Sequence, residues 1–271
     1  MSIKPIVTAA ESHRHITDQF PSLGIGHGWL FRGQCRSAWG ISPSLERLVL
    51  DPSERLFAER FAFDSFGRTL NLHGDVSQFP KLQPWSFNTQ SLFFMLHHGV
   101  PTRLVDFTES VYVATYFALE MCERGQDSVA VWAVNARLCN QSADQMTANH
   151  YEIAGKPIPR FPSGKLKLPL DEPTFPSLVH FYRSEYGYAR VVAQQGWAGI
   201  STRLDAPFEE GLATCLPETE AAIVRFDLST QNRKGLLEDL YSMNLHREML
   251  FPGLQGLGDK IRISIESRVY K

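Results

Sequence analysis

The sequence has few cysteines and no long apolar run, and each shortage excludes a class of protein. The four cysteines are Cys35, Cys122, Cys139 and Cys215, with no CxxC pair and no regular spacing. A disulfide framework or a zinc site needs closely paired thiols, so we expect free thiols and no metal. No stretch approaches the ~18 apolar residues of a membrane span, and the first residues do not resemble a signal peptide. We therefore expect a cytoplasmic protein with no membrane partner.

An excess of positive charge is also missing. The formal net charge is −2 at pH 7, whereas a protein that grips duplex DNA through its phosphates is usually basic. This balance argues against a dedicated DNA-binding module but permits a local basic groove. The glycine-rich pieces lack the GK[ST] ending of a phosphate loop, and Gly24–Gly28 precedes an apolar strand instead of following one. ATP or GTP hydrolysis and a Rossmann dinucleotide site are therefore not favoured.

The hydrophobic pattern predicts an α+β fold, because helices and strands are mixed without a βαβ rhythm. The predicted helices are Leu45–Phe66, with an apolar face of Leu56, Phe57, Phe61 and Phe63, then Asn88–His98, Val111–Glu123 and Lys234–Met243. The predicted strands are Trp29–Phe31, Val129–Val134, Ala222–Leu228 and Ile261–Val269. We expect a single domain over residues 1–271, with 1–21 peripheral and 155–176 a proline-rich inserted loop.

The first candidate motif is the run WLFRGQ at Trp29–Gln34, in which an apolar strand delivers one arginine. Arginine is a permanent cation whose planar donor fork suits a phosphate or a carboxylate. The glycine after it, Gly33, would let a ligand approach the backbone closely. The plain alternative is a structural salt bridge made by Arg32 at the end of a strand.

The second candidate motif is HHGVPTRLVDFTES, from His97 to Ser110. Adjacent histidines on a helix point to different faces, so a metal pair is not expected. Arg103 and Asp106, three residues apart, are most simply an internal ion pair. Thr108 or Ser110 could cap the next helix or bind a ligand through its hydroxyl, and Tyr116 on that apolar helix could be a core residue or a stacking surface.

Taken together, four segments resemble the FRG-domain family in sequence order. They are FRGQ, HHGVPTRLVDFTESVYVATYFAL, RVVAQQGW and LFPGLQGL, and the resemblance extends from about Trp29 to Lys260. His97 stands where the family pattern has glutamine. The FRG pattern in turn resembles distant ADP-ribosyltransferases, which implies a core of two small sheets flanked by helices and NAD as a substrate without a metal.

The same resemblance implies roles for particular residues. Those expected to hold NAD are Arg32, Gly33, Gln34, Arg103, Thr108, Ser110 and Tyr116, with Tyr116 stacking on the nicotinamide. The expected catalytic residues are Arg32, Tyr116 and Glu248, with Glu238 and Glu185 as rivals for the carboxylate. A different arrangement, typical of another toxin class, would use Ser201 and Thr202 as the middle element.

The function expected from this resemblance is transfer of ADP-ribose from NAD to a macromolecule. RNA or another single-stranded nucleic acid is preferred over protein as the acceptor, because the region Tyr182–Arg190 contains aromatic and arginine side chains that could stack on and steer a strand. Arg190 and Gln195 would face the acceptor. The family setting is a bacterial toxin or phage-defence effector held by a neutralising antitoxin protein. Two alternatives remain, an NAD glycohydrolase and a non-catalytic module that binds a phosphate or a partner.

Overall fold

The computed structural model describes residues 3–73, 85–120, 122, 125–160, 168–183, 189–216 and 222–267. Its strands are β1 Ile6–Ala10, β2 Trp29–Gln34, β3 Leu104–Thr108, β4 Ser128–Asn135, β5 Val179–Tyr182, β6 Gly196–Ser201 and β7 Ile223–Ser229. Its helices are α1 His13–Asp18, α2 Phe20–Leu23, α3 Ser44–Leu48, α4 Pro52–His73, α5 Thr89–His97, α6 Val111–Glu120, α7 Ala136–Ile153, α8 Ala189–Ala193, α9 Phe208–Cys215, α10 Arg233–Ser242, α11 Arg247–Leu250 and α12 Leu254–Ser267. The predicted α+β class is confirmed. None of the helices in these ranges combines the length and apolar character needed to cross a membrane.

All seven strands form one mixed sheet, in the order β1-β7-β4-β2-β3-β6-β5, in place of the two small sheets that were predicted. The sheet is joined at its centre by a single register pair, Phe31 with Thr108, between β2 and β3. The pairing between these two strands stops there. Beyond this pair, Arg32 directly follows Phe31 on β2, Asp106 lies two residues before Thr108 on β3, and both residues line an open cleft.

Helix α6 is the central helix, as its apolar sequence predicts, and it packs closely on β2. Its start is capped by Ser110, whose Oγ accepts a hydrogen bond from Val113 N at 3.3 Å. Six consecutive residues of the neighbouring strand, Val129–Val134, are buried, as expected for a strand covered on both faces. The predictions for these two elements are therefore confirmed to within a few residues.

The predicted helix Leu45–Phe66 is broken in two, and its buried face differs from the prediction. Pro52 starts α4, because a proline disfavours helical backbone in the residue before it. Phe57 and Phe61 are 76% and 62% exposed, while Arg55 and Glu59 are buried together with Phe63. The buried face of α4 is therefore set by charged residues that pair with other segments, and the apolar pattern of the helix does not predict it.

The predicted strand Ile261–Val269 is wrong, because residues up to Ser267 belong to helix α12. The alternation of isoleucine with polar residues indicated a strand. The same isoleucines extend a helical stripe, since Leu254, Leu257, Ile261 and Ile265 are spaced by three or four residues. Over so short a window the two periods are not distinguishable. Val269 lies outside the described residues.

Residues 1–21 were predicted to be peripheral, and within residues 3–21, the part that the structure describes, Ala10 and Ile16 are buried. Strand β1 adds to the edge of the sheet by pairing in parallel with β7, and Ile16 of α1 is fully buried. The parallel pairing is long-range, so nothing local in the sequence indicates it. In the proline-rich stretch 155–176, residues 161–167 lie outside the described part, while Leu168 and Phe175 are buried against the rest of the protein.

Candidate functional site

The cleft beside the β2–β3 junction has a volume of about 690 Å³ and a lining of charged and aromatic side chains. The described residues that line it include four arginines, two carboxylates and several aromatic rings. The charged residues are Arg32, Arg47, Arg190, Arg247, Asp106 and Glu120, and the aromatic ones include Phe31, Trp39, Phe93, Phe107, Phe117, Trp197 and Phe251. The volume falls within the range of about 300–1,000 Å³ that is usual for small-molecule sites.

Arg32 enters this cleft from β2 and has hydrogen-bonding capacity left over. Its Nη1 donates to the main-chain carbonyl of Asp106 at 2.7 Å, while its buried Nε has no partner among the described residues. Within those residues no carboxylate forms a salt bridge with it. Burial lowers the pKa of Arg32 to about 10, although the charge of Asp106 opposes the shift. An anion bound in the cleft would offset the cost of this desolvation, because a nearby negative charge favours the charged form of Arg32.

Arg190, from α8, lies in the same cleft and, like Arg32, has a buried Nε without a hydrogen-bond partner among the described residues. Its Nη1 donates to the carbonyl of His97 at 3.1 Å, and its guanidinium lies 4.4 Å from the centre of the Phe251 ring. Burial lowers the pKa of Arg190, with Asp106 opposing the shift. Arg190 was predicted to face the acceptor, and its position in the cleft is compatible with contact to a ligand.

Glu120 is the buried carboxylate of the cleft. It accepts hydrogen bonds from the hydroxyl of Tyr116 and from Arg247 Nη1, both at 2.9 Å. Burial raises the pKa of Glu120, and the charge of Arg247 opposes the shift. The charge of Arg247 is shared further with Asp259, at 3.2 Å. Glu120 thus belongs to a satisfied network at the wall of the cleft.

Asp106 is the second carboxylate of the cleft and, unlike Glu120, it is exposed. Its side chain is exposed to the cleft, between the buried residues Val105 and Phe107 on β3. Its carboxylate forms no hydrogen bond or salt bridge with the residues that the structure describes. The surrounding protein raises the pKa of Asp106 by desolvation, against the charges of Arg32 and Arg190.

Gly33 and Gln34 line the cleft, but contacts inside the protein explain both residues. A Cβ at Gly33 would overlap the carbonyl oxygen of Ala114, so glycine allows α6 to pack on β2. Gln34 donates to the carbonyl of Gly40 and accepts from Trp132 Nε1, each at 2.8 Å. Both residues were predicted to contact NAD. Gly33 has no side chain to offer, and the amide group of Gln34 is already hydrogen-bonded inside the protein.

Thr108 and Ser110 are held in the turn before α6. Thr108 Oγ1 donates to the carbonyl of Gln194 at 2.7 Å and accepts from Ser110 N at 3.0 Å. Ser110 caps the helix, as one interpretation of the sequence predicted. The hydroxyl of Thr108 is therefore used to join β3 to the segment after α8, which brings Arg190 to the cleft.

Tyr116, which was predicted to stack on the nicotinamide, is not among the described residues that line the cleft. Its ring is buried in the core around α6, and burial together with Glu120 raises the pKa of its hydroxyl. The next residue, Phe117, lines the cleft instead and meets Phe251 edge-on at 5.9 Å. A shift of one residue turns a helical side chain by about 100°, so the sequence motif alone did not decide which ring faces the cleft.

Arg103, which was predicted to hold NAD, is fully buried and forms ion pairs with carboxylates inside the protein. Its Nε donates to Glu59 at 2.8 Å, and its Nη2 donates to Asp171 at 2.9 Å. Burial alone would lower the pKa of Arg103, but the Glu59 carboxylate outweighs it and the pKa is raised. Among the described residues, Arg103 forms no ion pair with Asp106, which the sequence predicted. Its carboxylate partners are Glu59 and Asp171, which come from distant segments of the chain.

Glu248 and Gln195, predicted as the catalytic carboxylate and an acceptor contact, are not among the residues that line the cleft. Glu248 is bound to Lys260 Nζ at 2.7 Å, which lowers the pKa of Glu248. Its rival Glu238 forms an exposed pair with Lys234, and Glu185 lies outside the described residues. Gln195 is exposed and has a left-handed backbone, with φ 48°, because it forms the turn between α8 and β6.

The alternative pair, Ser201 and Thr202, is buried at the far end of β6. Ser201 Oγ donates to the carbonyl of Arg203, and Thr202 Oγ1 accepts from Leu178 N at 2.9 Å. These hydroxyls hold loops together and do not face the cleft. The arrangement that used them as a middle element is therefore not supported.

Of the two adjacent histidines, His97 lines the cleft and burial lowers its pKa to about 4. The ring of His98 packs on Phe94, with ring centres 4.5 Å apart. Within the described ranges, no group of three or more His, Cys, Asp or Glu side chains is arranged to hold a metal ion.

Glu120, Arg247 and Phe251 are among the cleft residues that the sequence did not point to as site residues. Glu120 lies one helical turn after Tyr116, so its position on α6 could have drawn attention to it. Arg247 and Phe251 flank the glutamate that was singled out, Glu248, and belong to the same short helix or its end. No local signal shows which of these neighbouring side chains faces the cleft.

Comparison with known proteins supports the resemblance that the sequence suggested. No curated protein matched the chain, and no solved structure matched it either. The model of the family described as the FRG domain matches residues 27–128, a segment that contains Arg32, Asp106 and Glu120 but not Arg190 or Arg247. Over this segment, which is less than half of the chain, the sequence is similar to the FRG domain.

Proposed function

We propose that this protein binds NAD in the cleft and transfers its ADP-ribose to a macromolecule. One observation carries the proposal: Arg32 and Arg190 line one cleft, and neither forms a salt bridge with any residue that the structure describes. By contrast, Arg247 in the same cleft and Arg103 in the protein interior are each paired with a carboxylate. Two unpaired guanidinium groups suit a ligand that carries more than one phosphate.

The other walls of the cleft agree with a dinucleotide. Phe117, Trp197 and Phe251 offer apolar and aromatic surface to a nucleobase or a nicotinamide ring. The carboxylates of the cleft, Asp106 and Glu120, supply negative charge of the kind that stabilises the positive charge developing on ribose when the nicotinamide bond breaks. Stabilisation of such developing charge by fixed groups is commonly worth several kcal/mol.

A single-stranded nucleic acid, RNA above all, is the proposed acceptor. Trp39 and Arg47 both line the cleft and are exposed, so they can meet a strand that enters from outside. An aromatic ring beside a basic side chain is a usual surface for a single strand, because bases stack and phosphates pair. The aromatic residues Tyr186 and Tyr188, which favoured RNA in the sequence, lie outside the described residues. The toxin or phage-defence setting and the neutralising antitoxin protein rest on the family resemblance.

A non-catalytic module that binds a phosphate ligand is the second candidate. It is favoured by the positions of Tyr116 and Glu248, since neither of these expected catalytic residues lines the cleft. In this case Arg32→Ala would weaken binding of a phosphorylated ligand, with no turnover to lose. An NAD glycohydrolase would use the same cleft with water as the acceptor, and would release free ADP-ribose from protein and NAD alone.

The first test is stabilisation by NAD. A ligand that binds only the folded protein at 100 times its Kd adds about 2.7 kcal/mol of stability. We expect saturating NAD to raise the thermal midpoint of the wild type, and Arg32→Ala or Arg190→Ala to remove most of that rise. Arg14→Ala, at an exposed arginine on α1, is the matched control and should behave as wild type. Absence of any rise in the wild type would argue against NAD as the ligand.

The second test is transfer of label. Purified protein is incubated with radiolabelled NAD and cell extract, and portions are then treated with RNase, DNase or protease. We expect label in a fraction that RNase removes, and its loss in Arg32→Ala but not in Arg14→Ala. Label removed by protease would change the acceptor to protein. Intact NAD together with no labelled fraction would leave the binding module as the better proposal.

A further inference from the structure

The cleft offers two carboxylates, and only one of them is free to act. The side chain of Glu120 is 1% exposed and is bound by Tyr116 and Arg247. The side chain of Asp106 is exposed to the cleft and carries no hydrogen bond or salt bridge within the described ranges. A carboxylate that accepts a proton from a substrate needs both access and an unused oxygen. Asp106 meets both conditions.

Asp106 is also held in a rigid position. It lies in the middle of β3, opposite Ala198 on the antiparallel strand β6. Its own carbonyl accepts the hydrogen bond from Arg32, and its chain neighbours Val105 and Phe107 are buried. The carboxylate therefore projects from a fixed strand beside the two unpaired arginines. Catalytic groups on strands are positioned more exactly than groups on loops.

We propose that Asp106 is the catalytic carboxylate of the ADP-ribosyl transfer, an inference that rests on the proposed function. In this step the bond between C1′ of the ribose and the nicotinamide nitrogen breaks, and nicotinamide leaves with the electron pair of that bond. A hydroxyl or amine of the acceptor attacks C1′ and forms the new bond. Its proton passes to the Asp106 carboxylate and then to water. The ionised carboxylate also stabilises the positive charge that develops on the ribose.

The neighbouring charges agree with this role. Desolvation raises the pKa of Asp106, which brings a carboxylate closer to the range of an effective general base at neutral pH. Arg32 and Arg190 oppose the rise in pKa, because their positive charges favour the ionised carboxylate. When phosphates occupy the two arginines, their positive charge is compensated, so Asp106 becomes a stronger base with substrate bound than without it.

The test compares three isosteric variants, Asp106→Asn, Glu120→Gln and Glu248→Gln, in the NAD stabilisation and label-transfer assays. General base catalysis contributes about 10²–10⁴-fold, so we expect Asp106→Asn to lose at least about 100-fold in transfer rate. It should keep the thermal midpoint and the rise in midpoint caused by NAD. Glu248→Gln, outside the cleft, should remain within about twofold of wild type.

Two outcomes would overturn the inference and differ from a failure of the proposed function. Transfer by Asp106→Asn at a rate within about threefold of wild type would show that this carboxylate is not needed. Loss of transfer in Glu120→Gln, with Asp106→Asn active, would give the role to Glu120. If the wild type neither transfers label nor is stabilised by NAD, the proposed function itself fails and the role of Asp106 fails with it.

Discussion

The buried cluster of Glu59, Arg103 and Asp171 should be a major determinant of stability. The side chains of Arg103 and Glu59 are fully buried, and the Glu59 carboxylate accepts bonds from Arg103 Nε, Nη2 and the main-chain nitrogen. Removing one partner of a buried pair leaves an uncompensated charge and costs about 3–5 kcal/mol. Glu59→Gln keeps the shape but removes the charge, so we expect a loss in that range. For a chain of this size, that lowers the thermal midpoint by about 6–20 °C.

The assay is urea denaturation of the wild type, Glu59→Gln and a control. Glu238→Gln is the matched control, because it removes the same group from an exposed pair with Lys234, worth at most about 0.5 kcal/mol. A double variant, Arg103→Met with Glu59→Leu, should recover part of the loss, since neither charge is then left buried alone. A loss below about 1 kcal/mol in Glu59→Gln would refute the reasoning.

Three further substitutions test other contacts. Gly33→Ala should destabilise by about 1–3 kcal/mol because its Cβ would overlap α6, while Gly26→Ala, with open space around it, should change little in urea denaturation. Thr108→Val should cost about 1–3 kcal/mol by leaving two main-chain groups unpaired, and Thr108→Ser should restore most of it. Burial lowers the pKa of His180 to about 4, below an unfolded value near 6.5, so stability is lost as the pH falls from 6.5 toward 4. Between pH 7 and pH 5 this amounts to about 2 kcal/mol, which His180→Gln should remove from the measured pH dependence; the pKa of His97, also lowered to about 4, leaves a remaining slope.

The parts of the fold that could be predicted were the strongly apolar elements. Helix α6 and strand β4 follow the predicted ranges because nearly every side chain in them is buried, so the pattern holds whatever packs against them. Helices α4 and α12 differ from the predictions because their burial depends on distant partners. Strand β1 could not be foreseen, since its parallel pairing with β7 joins residues more than 200 positions apart.

The candidate site shows the same division between local and long-range information. The arginines Arg32 and Arg103 both stand in motifs that the sequence singled out, and both were expected to hold NAD. Their environments differ because α4 brings Glu59 to Arg103, whereas within the described residues no segment brings a carboxylate into a salt bridge with Arg32. A sequence motif can identify a candidate arginine. Whether a carboxylate already neutralises its charge depends on the tertiary structure.

This distinction bears directly on function. A buried guanidinium without a carboxylate partner costs stability, and burial lowers the pKa of Arg32 for that reason. Two such groups, Arg32 from β2 and Arg190 from α8, meet at one cleft although 158 positions separate them in the chain. A structure that tolerates both costs at one place is best explained if a ligand supplies the missing negative charge. We therefore expect inorganic pyrophosphate alone to stabilise the wild type against heat, and Arg32→Ala to remove the effect even if the protein has no catalytic activity.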